Sequence, residues 1–361
     1  VSEYKPDVVT ILFSVWVEPY KSFPRIMQQL NSRVKVLVYA PFEYLTLSEL
    51  FFESLLGAHL VLIPNRIGEA YMKLHVGEEF VWYVPHGYDP RVFKPLRRSE
   101  MTDVERQYYD ELKRVYDGRT VYLFVGRNNL RKEIGTLIAA FRMLPSRIRR
   151  ESMLALYTRL QEVTPSTVGA SLGWDIVRIA KKYGVDDRVF VFHNWASAEW
   201  GVPDWLMNIV YNSADIYVHP SSGEGFGLPI IEAMAVGLPV IASANTSMLE
   251  FCGENEEYCL LAEPMVMLES WEGFSFTPTN PVSLSEKMEQ MHDSKVRKHY
   301  SQKSLERARQ YTWEKAVEHY EQALDYVQDR TARIERYRHD VIPEDYMLNP
   351  YSRRIAERMK K

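Results

Sequence analysis

The chain is poor in cysteine. Its 361 residues include only Cys252 and Cys259, which stand in the stretch CGENEEYC. Two cysteines exclude the disulfide framework of a small secreted domain, and without clustered histidines they make a poor zinc site. Two reduced thiols are therefore the favoured interpretation, and a disulfide that closes the short loop is the alternative.

The chain also lacks a positive net charge and a long apolar run. Its formal net charge is −4, whereas duplex-binding proteins are usually basic, so we expect no nucleic-acid partner. The longest apolar run, VVTILFSVWV from Val8 to Val17, is too short to cross a bilayer. No basic and then apolar leader with a cleavage site is evident. These absences predict a soluble, cytoplasmic protein.

Length and patterning predict two α/β domains. Apolar residues make up 46% of the chain and charged residues 25%, which is ordinary for globular proteins. Apolar runs alternate with helical patterns, as in sheets of parallel strands. We predict Rossmann-like domains over residues 1–100 and 101–325, joined by a passage over 86–118. The predicted strands are DVVTILFSVWV, VKVLVYA, AHLVLIP and FVWYVP in the first domain, and TVYLFVG, MLALYTR, RVFVF, DIYVHP and LPVIAS in the second.

Residues 326–361 form a predicted basic, helical tail. From Arg330 to Lys361 the tail carries nine Lys and Arg residues against five Asp and Glu residues. The simpler interpretation is a solvated helix packed on the body of the protein. The alternative is a weak electrostatic contact with an acidic partner or with an anionic membrane surface.

The stretch HPSSGEGFGLPIIEAMAVGLPV, which begins at His219, places two glutamates around three glycines between a strand and a helix. Pro229 suits the first turn of that helix. Backbone N–H groups of a glycine-rich loop at a helix N-terminus form an anion site that suits phosphate. Glu224 and Glu232 accept hydrogen bonds when ionised, so their natural partners are hydroxyl groups. The pattern suggests a sugar nucleotide, and a tight turn with two solvated glutamates is the alternative.

The stretch FVGRNNLRKE places cations after another strand. Arg127 and Lys132 lie five positions apart in a polar loop, where Arg grips phosphate oxygens in a bidentate way and Lys adds a point charge. Arg131 is the alternative to Lys132, and a merely solvated basic loop is the alternative to a diphosphate site. The glycine spacing G-x-G-x-G differs from G-x-G-x-x-G, which disfavours a nicotinamide dehydrogenase.

Together these motifs resemble the retaining GT-B glycosyltransferases, particularly glycosyltransferase family 4. The family's EGFGLxxxEAMAxGxPVI run stands here as EGFGLPIIEAMAVGLPVI, and its GR-x4-KG loop stands as GRNNLRKE, with Glu133 where glycine is usual. Its VIPNGVD, ADVFVLPS and PEV motifs stand as YVPHGYD, ADIYVHPS and SMLEF, the last containing Glu250. The resemblance covers about residues 5–325. It implies a GT-B fold, in which two Rossmann-like domains face a cleft.

The resemblance also implies a function and its residues. It implies metal-independent, retaining transfer of a sugar from a nucleoside diphosphate sugar, a UDP- or GDP-sugar, to a hydroxyl acceptor on a glycan, lipid or small molecule. Arg127 and Lys132 would stabilise the leaving diphosphate, Glu224 would contact the donor sugar, and Glu232 would contact the ribose. The other donor-binding residues would be Gly126, His193, Gly225, Phe226, Gly227 and Leu228. Besides the donor sugar nucleotide, no cofactor or metal is implied.

The N-terminal part departs from the family. The family opens with a strand and a glycine-rich loop, whereas this chain begins at Val1 with a stretch that resembles a strand from the middle of the domain. An incomplete domain that lacks a leading βα portion is our preferred interpretation, and a natively reduced acceptor domain is the alternative. Where the family carries a histidine, this chain has PFEYL. Glu43 in that stretch would accept a sugar hydroxyl or cap the next helix.

Two histidines have expected structural roles, and two alternative functions are compatible with the motifs. His219 stands where the family usually has an apolar residue, so we expect it to be packed or hydrogen-bonded, and we expect His86 to be a turn residue. A binding-only relative whose acceptor half is too reduced for transfer would bind nucleotide without turnover. A sugar-nucleotide epimerase of the same fold would interconvert the donor sugar without an acceptor.

Overall fold

The computed structural model describes residues 6–12, 29, 33–44, 49–160, 163–164, 171–192, 201–253, 255–269 and 274–338. The strands, numbered β1 to β14 in chain order, are Val8–Leu12, Lys35–Tyr39, Leu60–Ile63, Val81–Tyr83, Thr120–Val125, Ser152–Tyr157, Val163–Thr164, Ser171–Leu172, Val189–Val191, Ile216–His219, Val240–Ser243, Leu260–Ala262, Leu268–Glu269 and Ser275–Phe276. The α-helices are Glu49–Leu55, Arg66–Val76, Asp103–Tyr116, Ile134–Met143, Ser146–Arg150, Ile176–Tyr183, Asp204–Ser213, Leu228–Ala235, Thr246–Cys252, Pro281–His292, Ser294–Ala308 and Trp313–Gln328.

Two parallel sheets organise the chain. The first has the strand order β1-β2-β3-β4, and the second has the order β12-β11-β10-β5-β6-β9. Their strands pair in parallel, as in β5 with β6 and β10 with β11. Parallel strands covered by helices on both faces are near-continuous apolar runs, which is why Leu37 and Leu123 have no exposed surface. Each sheet with its helices forms one lobe, and the two-lobed α/β prediction is confirmed.

The predicted strands each have a counterpart in these sheets. The structure adds β12 and two small antiparallel hairpins, β7–β8 and β13–β14. The apolar run CLLA at β12 is too short to predict a strand. Pro229 stands in the first turn of its helix, and Thr102 with Glu105 forms the predicted capping box. The helix predicted at KSFPRIMQQL lies almost entirely outside the described residues.

The end of the chain returns to the first lobe. The helix Trp313–Gln328, which the predicted boundary at 325 places in the second domain, packs Ala323 and Val327 against the first sheet. The described part of the tail that follows is irregular, not helical as predicted, over residues 330–338. Its Ile334 is buried in the first lobe, where its backbone bonds to Gly57 and Ala58. Burial of Ile334 holds the backbone against the lobe.

The interpretation of the two cysteines as reduced thiols is contradicted. Cys252 ends a helix, and a turn through Gly253 brings Cys259 back beside it in a disulfide, with 4.6 Å between the Cα atoms. Both residues are fully buried. The turn returns the chain because Gly253 adopts a positive φ of 75°, a conformation that favours glycine.

Candidate functional site

The two sheets present the carboxyl ends of their strands to each other. In the second lobe the loops after β5 and β10 carry Arg131 and Glu224, and Thr246 begins the helix after β11. In the first lobe the loops after β2 and β3 carry Glu43 and Asn65. Open α/β sheets bind ligands at this edge. β5 and β10 are neighbours, so the two motifs separated by 92 residues in sequence meet there.

Glu224 is the centre of a buried ionic cluster. Its side chain pairs with the Lys132 ammonium and, at 3.1 Å, with the Arg131 guanidinium. Arg131 also reaches the Glu43 carboxylate of the first lobe at 3.3 Å. Glu224 is only 5% exposed and Lys132 8%. Two cations and two carboxylates therefore balance each other at the cleft, with their charges desolvated and paired.

Local backbone geometry puts these side chains in place. Lys132 ends a single 3-10 turn, Leu130–Lys132, and Glu133 follows it in the left-handed region at φ 54°. That conformation favours glycine, so it explains why glycine is usual at this position in the family. Thr246 is held at φ 38°, a strained value for a β-branched residue, and its hydroxyl accepts the Glu224 N–H at 2.9 Å.

The charges set the protonation states of the cluster. Burial alone would raise the pKa of Glu224, but the charges of Arg131 and Lys132 outweigh it and hold that pKa well below its usual range. Burial lowers the pKa of Lys132, against the opposing charge of Glu224. Glu224 is therefore an anion that accepts hydrogen bonds, as a hydroxyl-binding residue must be.

Glu232 has the opposite environment. It lies one turn into the helix Leu228–Ala235, partly buried, and accepts a hydrogen bond from the Tyr211 hydroxyl at 2.8 Å. Burial raises its pKa to about 7, the Tyr211 hydrogen bond lowers it, and the charge of Asp204 adds to the rise. The two glutamates of the motif thus differ in charge near neutral pH, which is how one site assigns two roles to two carboxylates.

The glycine loop lies directly against the first lobe. A Cβ on Gly223 would stand 2.0 Å from the Glu43 carbonyl oxygen, and one on Gly225 would stand 2.8 Å from the Cβ of Pro41. Asn65 donates to the Gly225 carbonyl at 2.7 Å and caps its own helix through the Gly68 N–H. Glycine is thus required at both loop positions, because only backbone fits between the lobes.

The predicted site residues occupy different places around the cleft. Glu224 and Lys132 meet directly, and Glu43, whose side chain is 21% exposed, joins them through Arg131. The residues of the loop and helix start stand at the same sheet edge: Gly225, Phe226, Gly227 and Leu228. Gly126 follows β5, and Arg127 beside it is exposed. His193 lies outside the described residues.

Several contacts were not predicted. Arg131, expected only as an alternative to Lys132, contacts Glu224 together with it, and Tyr211, Thr246 and Asn65 were not singled out. Spacing cannot reveal these partners because they come from other loops and helices. His219 is buried and hydrogen-bonded, as expected. His86 stacks on Tyr39 and meets the edge of Phe226.

Among the described residues, no three His, Cys, Asp or Glu side chains are grouped so that they could hold a metal ion. No helix in the described part of the chain has the length and apolar character needed to cross a membrane.

This architecture is the GT-B fold: each lobe contains a parallel sheet, and the two lobes meet at the carboxyl ends of their strands. It matches the sucrose-phosphate synthase of Thermosynechococcus elongatus with a TM-score of 0.66 and 22% identity, over 90% of this chain and 74% of that one. HepE of Anabaena, solved with UDP and glucose, matches with a TM-score of 0.66 and 14% identity. The match covers 90% of this chain and 79% of that one.

The chain belongs to the glycosyl transferases group 1 family, whose sequence profile matches residues 107–310. It is 28% identical to the O-antigen chain mannosyltransferase B of Escherichia coli over 53% of this chain and 42% of that protein. It is 24% identical to the lipopolysaccharide glucosyltransferase WaaG of Escherichia coli K12, over 48% of this chain and 41% of that protein. The chain thus spans less than half the length of these curated relatives.

Proposed function

We propose that this protein transfers a hexose-type sugar from a nucleoside diphosphate sugar to a hydroxyl acceptor, with retention of configuration and without a metal. The observation that carries the proposal is the convergence of Lys132, Arg131 and Glu224 beside the glycine loop at the start of a helix. Cations and a helix N-terminus suit a diphosphate, and an ionised carboxylate beside them suits sugar hydroxyls.

The chemistry assigned to the residues follows from their charge. Lys132 and Arg131, with Arg127 from the same loop, stabilise the negative charge that develops on the leaving diphosphate. Glu224 accepts hydrogen bonds from donor-sugar hydroxyls, and Glu232 accepts one from the ribose. The cations supply the charge that a metal would otherwise supply. In the proposed front-face mechanism the bond between the sugar and the diphosphate breaks, the acceptor oxygen bonds to the same face of the sugar carbon, and the acceptor proton passes to the leaving diphosphate. This is a family 4 mechanism, acting in the cytoplasm.

Diphosphate binding must exchange ion pairs. In the structure the cations are already satisfied by Glu224 and Glu43, so the diphosphate takes over contacts that these carboxylates hold. The exchange leaves Glu224 and Glu43 as carboxylates without their cations, which is costly while they stay buried, so other donors must satisfy them. It also couples donor binding to the position of the first lobe, which carries Glu43.

The first test is calorimetry with UDP, GDP, ADP, TDP and NAD, each with Mg²⁺ and with EDTA. We expect one nucleoside diphosphate to bind tightly and independently of Mg²⁺. UDP- and GDP-linked glucose and mannose then come first as donors, because relatives are named mannosyltransferases and a glucosyltransferase. Preference for NAD, or binding that requires Mg²⁺, would contradict the proposal.

A turnover assay separates the remaining functions. Transfer to an acceptor, or slow hydrolysis of the donor, supports a transferase, and product stereochemistry determined by NMR tests retention. Binding without either reaction identifies a binding-only relative. Interconversion of the donor sugar in the absence of acceptor identifies an epimerase.

A further inference from the structure

Two polar side chains behind Glu224 are buried in the second sheet. Tyr217 and His219 are two positions apart on β10, so they project from the same face of the strand. Neither has exposed surface. Their positions are filled by Phe and Leu in the ADVFVLPS pattern of the family, whereas this chain reads ADIYVHPS. Burying a hydroxyl and an imidazole costs free energy unless both are hydrogen-bonded.

The two side chains form a chain of hydrogen bonds that ends on Glu224. His219 Nε2 lies 2.8 Å from Glu224 Oε1, and His219 Nδ1 lies 2.9 Å from the Tyr217 hydroxyl. An ionised carboxylate only accepts, so Nε2 carries the proton and donates. In the neutral ring Nδ1 then accepts, and Tyr217 donates to it. The Tyr217 hydroxyl also lies 3.3 Å from the Val125 carbonyl oxygen, so its single proton is shared between that oxygen and the nearer Nδ1.

The ring of His219 has a single orientation. It stacks on the rings of Phe124 and Tyr217. The ring centroids are 6.1 Å apart for Phe124 and 5.8 Å apart for Tyr217, and the interplanar angle is 26° in both pairs. Burial lowers the pKa of His219, against the hydrogen bond and charge of Glu224 that raise it. A neutral, packed imidazole offers Glu224 one N–H in a constant direction.

The cations and the imidazole bind Glu224 in different ways. Arg131 and Lys132 come from a loop that a diphosphate would engage, whereas His219 lies in the sheet core, away from solvent. When a diphosphate takes the cations, Glu224 loses attractive partners that hold it in place. The N–H of His219 is the contact that remains.

We propose that His219, oriented by Tyr217, is a positioning residue that holds the Glu224 carboxylate toward the donor sugar while the diphosphate occupies the cations. This inference rests on the proposed function. It predicts a role in recognising the sugar of the donor and none in recognising the diphosphate, because only the sugar contact depends on Glu224.

The test compares the affinity for the nucleotide sugar with the affinity for its nucleoside diphosphate. In His219→Leu, which restores the apolar residue of the family pattern, we expect the nucleotide sugar to bind about tenfold more weakly and the diphosphate to change by less than about twofold. His219→Gln retains an N–H donor and should recover most of the loss. Tyr217→Phe should weaken nucleotide-sugar binding by a smaller factor.

Tyr122→Phe is the matched control. Tyr122 is equally buried in the second sheet and donates to the Met288 carbonyl at 2.9 Å, away from the site. We expect loss of the Tyr122 hydroxyl to change the melting temperature without changing the ratio of the affinities for the nucleotide sugar and the nucleoside diphosphate. If His219→Leu does not fold, the ratio measured for Tyr217→Phe decides the matter.

The outcomes are distinguishable. If the unaltered protein binds a diphosphate and its sugar conjugate, but folded His219→Leu and Tyr217→Phe keep the ratio of affinities, the inference is wrong and the proposed function stands. Equal losses for both ligands would show that His219 acts on the diphosphate site or on stability alone, which also overturns it. If the unaltered protein binds neither ligand, the proposed function fails and the inference fails with it.

Discussion

At the scale of single residues, two carboxylates from one motif are given different properties by their neighbours. Glu224 is held as an anion by Lys132 and Arg131, whereas burial raises the pKa of Glu232 to about 7. The sequence shows two glutamates separated by seven residues and cannot show this difference. The environment, and not the motif, decides which of the two is charged at a given pH.

We predict that Glu232→Ala weakens binding of the nucleoside diphosphate by about 1.5–3 kcal/mol, because the ribose loses a hydrogen bond to a charged acceptor. Calorimetry from pH 6 to pH 8 checks this. Glu232 ionises as the pH rises through about 7, so affinity in the unaltered protein should rise with pH, and the variant should lose that dependence. Equal affinities and equal pH profiles would remove Glu232 from the site.

The same group affects stability with a definite sign. The pKa of Glu232 is higher in the folded protein than the usual value of 4.5, so the folded state binds the proton more tightly than the unfolded chain does. Its contribution to stability is therefore present at acid pH and is lost as the pH rises through about 7.

We predict that Arg127→Ala combined with Lys132→Ala lowers kcat by a factor of 10² or more, because the leaving diphosphate loses stabilising charge. Initial rates at saturating donor measure the effect. The matched control removes one Arg and one Lys from surface ion pairs, in Arg98→Ala with Lys303→Ala. Near-normal rates in a folded Arg127 and Lys132 double variant would refute the diphosphate assignment.

At the scale of elements, the loop between β10 and the following helix is shaped by what touches it. Gly223 and Gly225 lie against Glu43 and Pro41 of the other lobe. The glycines are usually explained by phosphate approach to the loop backbone, but here they also allow the lobes to meet. One loop thus serves ligand binding and lobe packing.

We predict that Gly223→Ala changes the donor KM severalfold, because a Cβ at 2.0 Å from the Glu43 carbonyl oxygen must push the lobes apart. Gly118→Ala is the control. Its Cβ meets nothing within 4 Å, but its φ is 70°, so it should lose about 1–2 kcal/mol of stability from backbone strain alone. Kinetics and thermal melting of both variants are the measurements, and identical donor KM values would show that the contact is dispensable.

At the scale of the whole molecule, the lobes are held together by hydrogen bonds that end on the carboxylate of Glu250. Glu250 of the second lobe accepts the Arg66 N–H at 2.7 Å and the Tyr83 hydroxyl at 2.6 Å from the first lobe. Tyr311 donates to the same carboxylate at 3.0 Å. Together with the Glu43–Arg131 pair, these contacts define a closed arrangement around the candidate site.

We predict that Glu250→Ala loosens this arrangement, because three donors lose their acceptor at a cost of about 1–3 kcal/mol for each that stays buried. Small-angle X-ray scattering should show a larger radius of gyration, and donor affinity should fall. Glu256→Ala is the control, since Glu256 pairs with Lys287 within the second lobe. A variant as compact as the unaltered protein, with unchanged affinity, would contradict the role of Glu250.

The sequence by itself determined the strands, most helices and the glycine-rich loop, because periodicity, caps and turn residues act over short distances. It also identified Lys132 and Glu224, since both stand in recognisable motifs at strand ends. The tertiary structure alone decided that Arg131 and His219 meet Glu224, that Glu43 pairs with Arg131, that the last helix returns to the first lobe, and that the two cysteines are bonded. These features depend on which distant segments become neighbours, and sequence spacing carries no information on that.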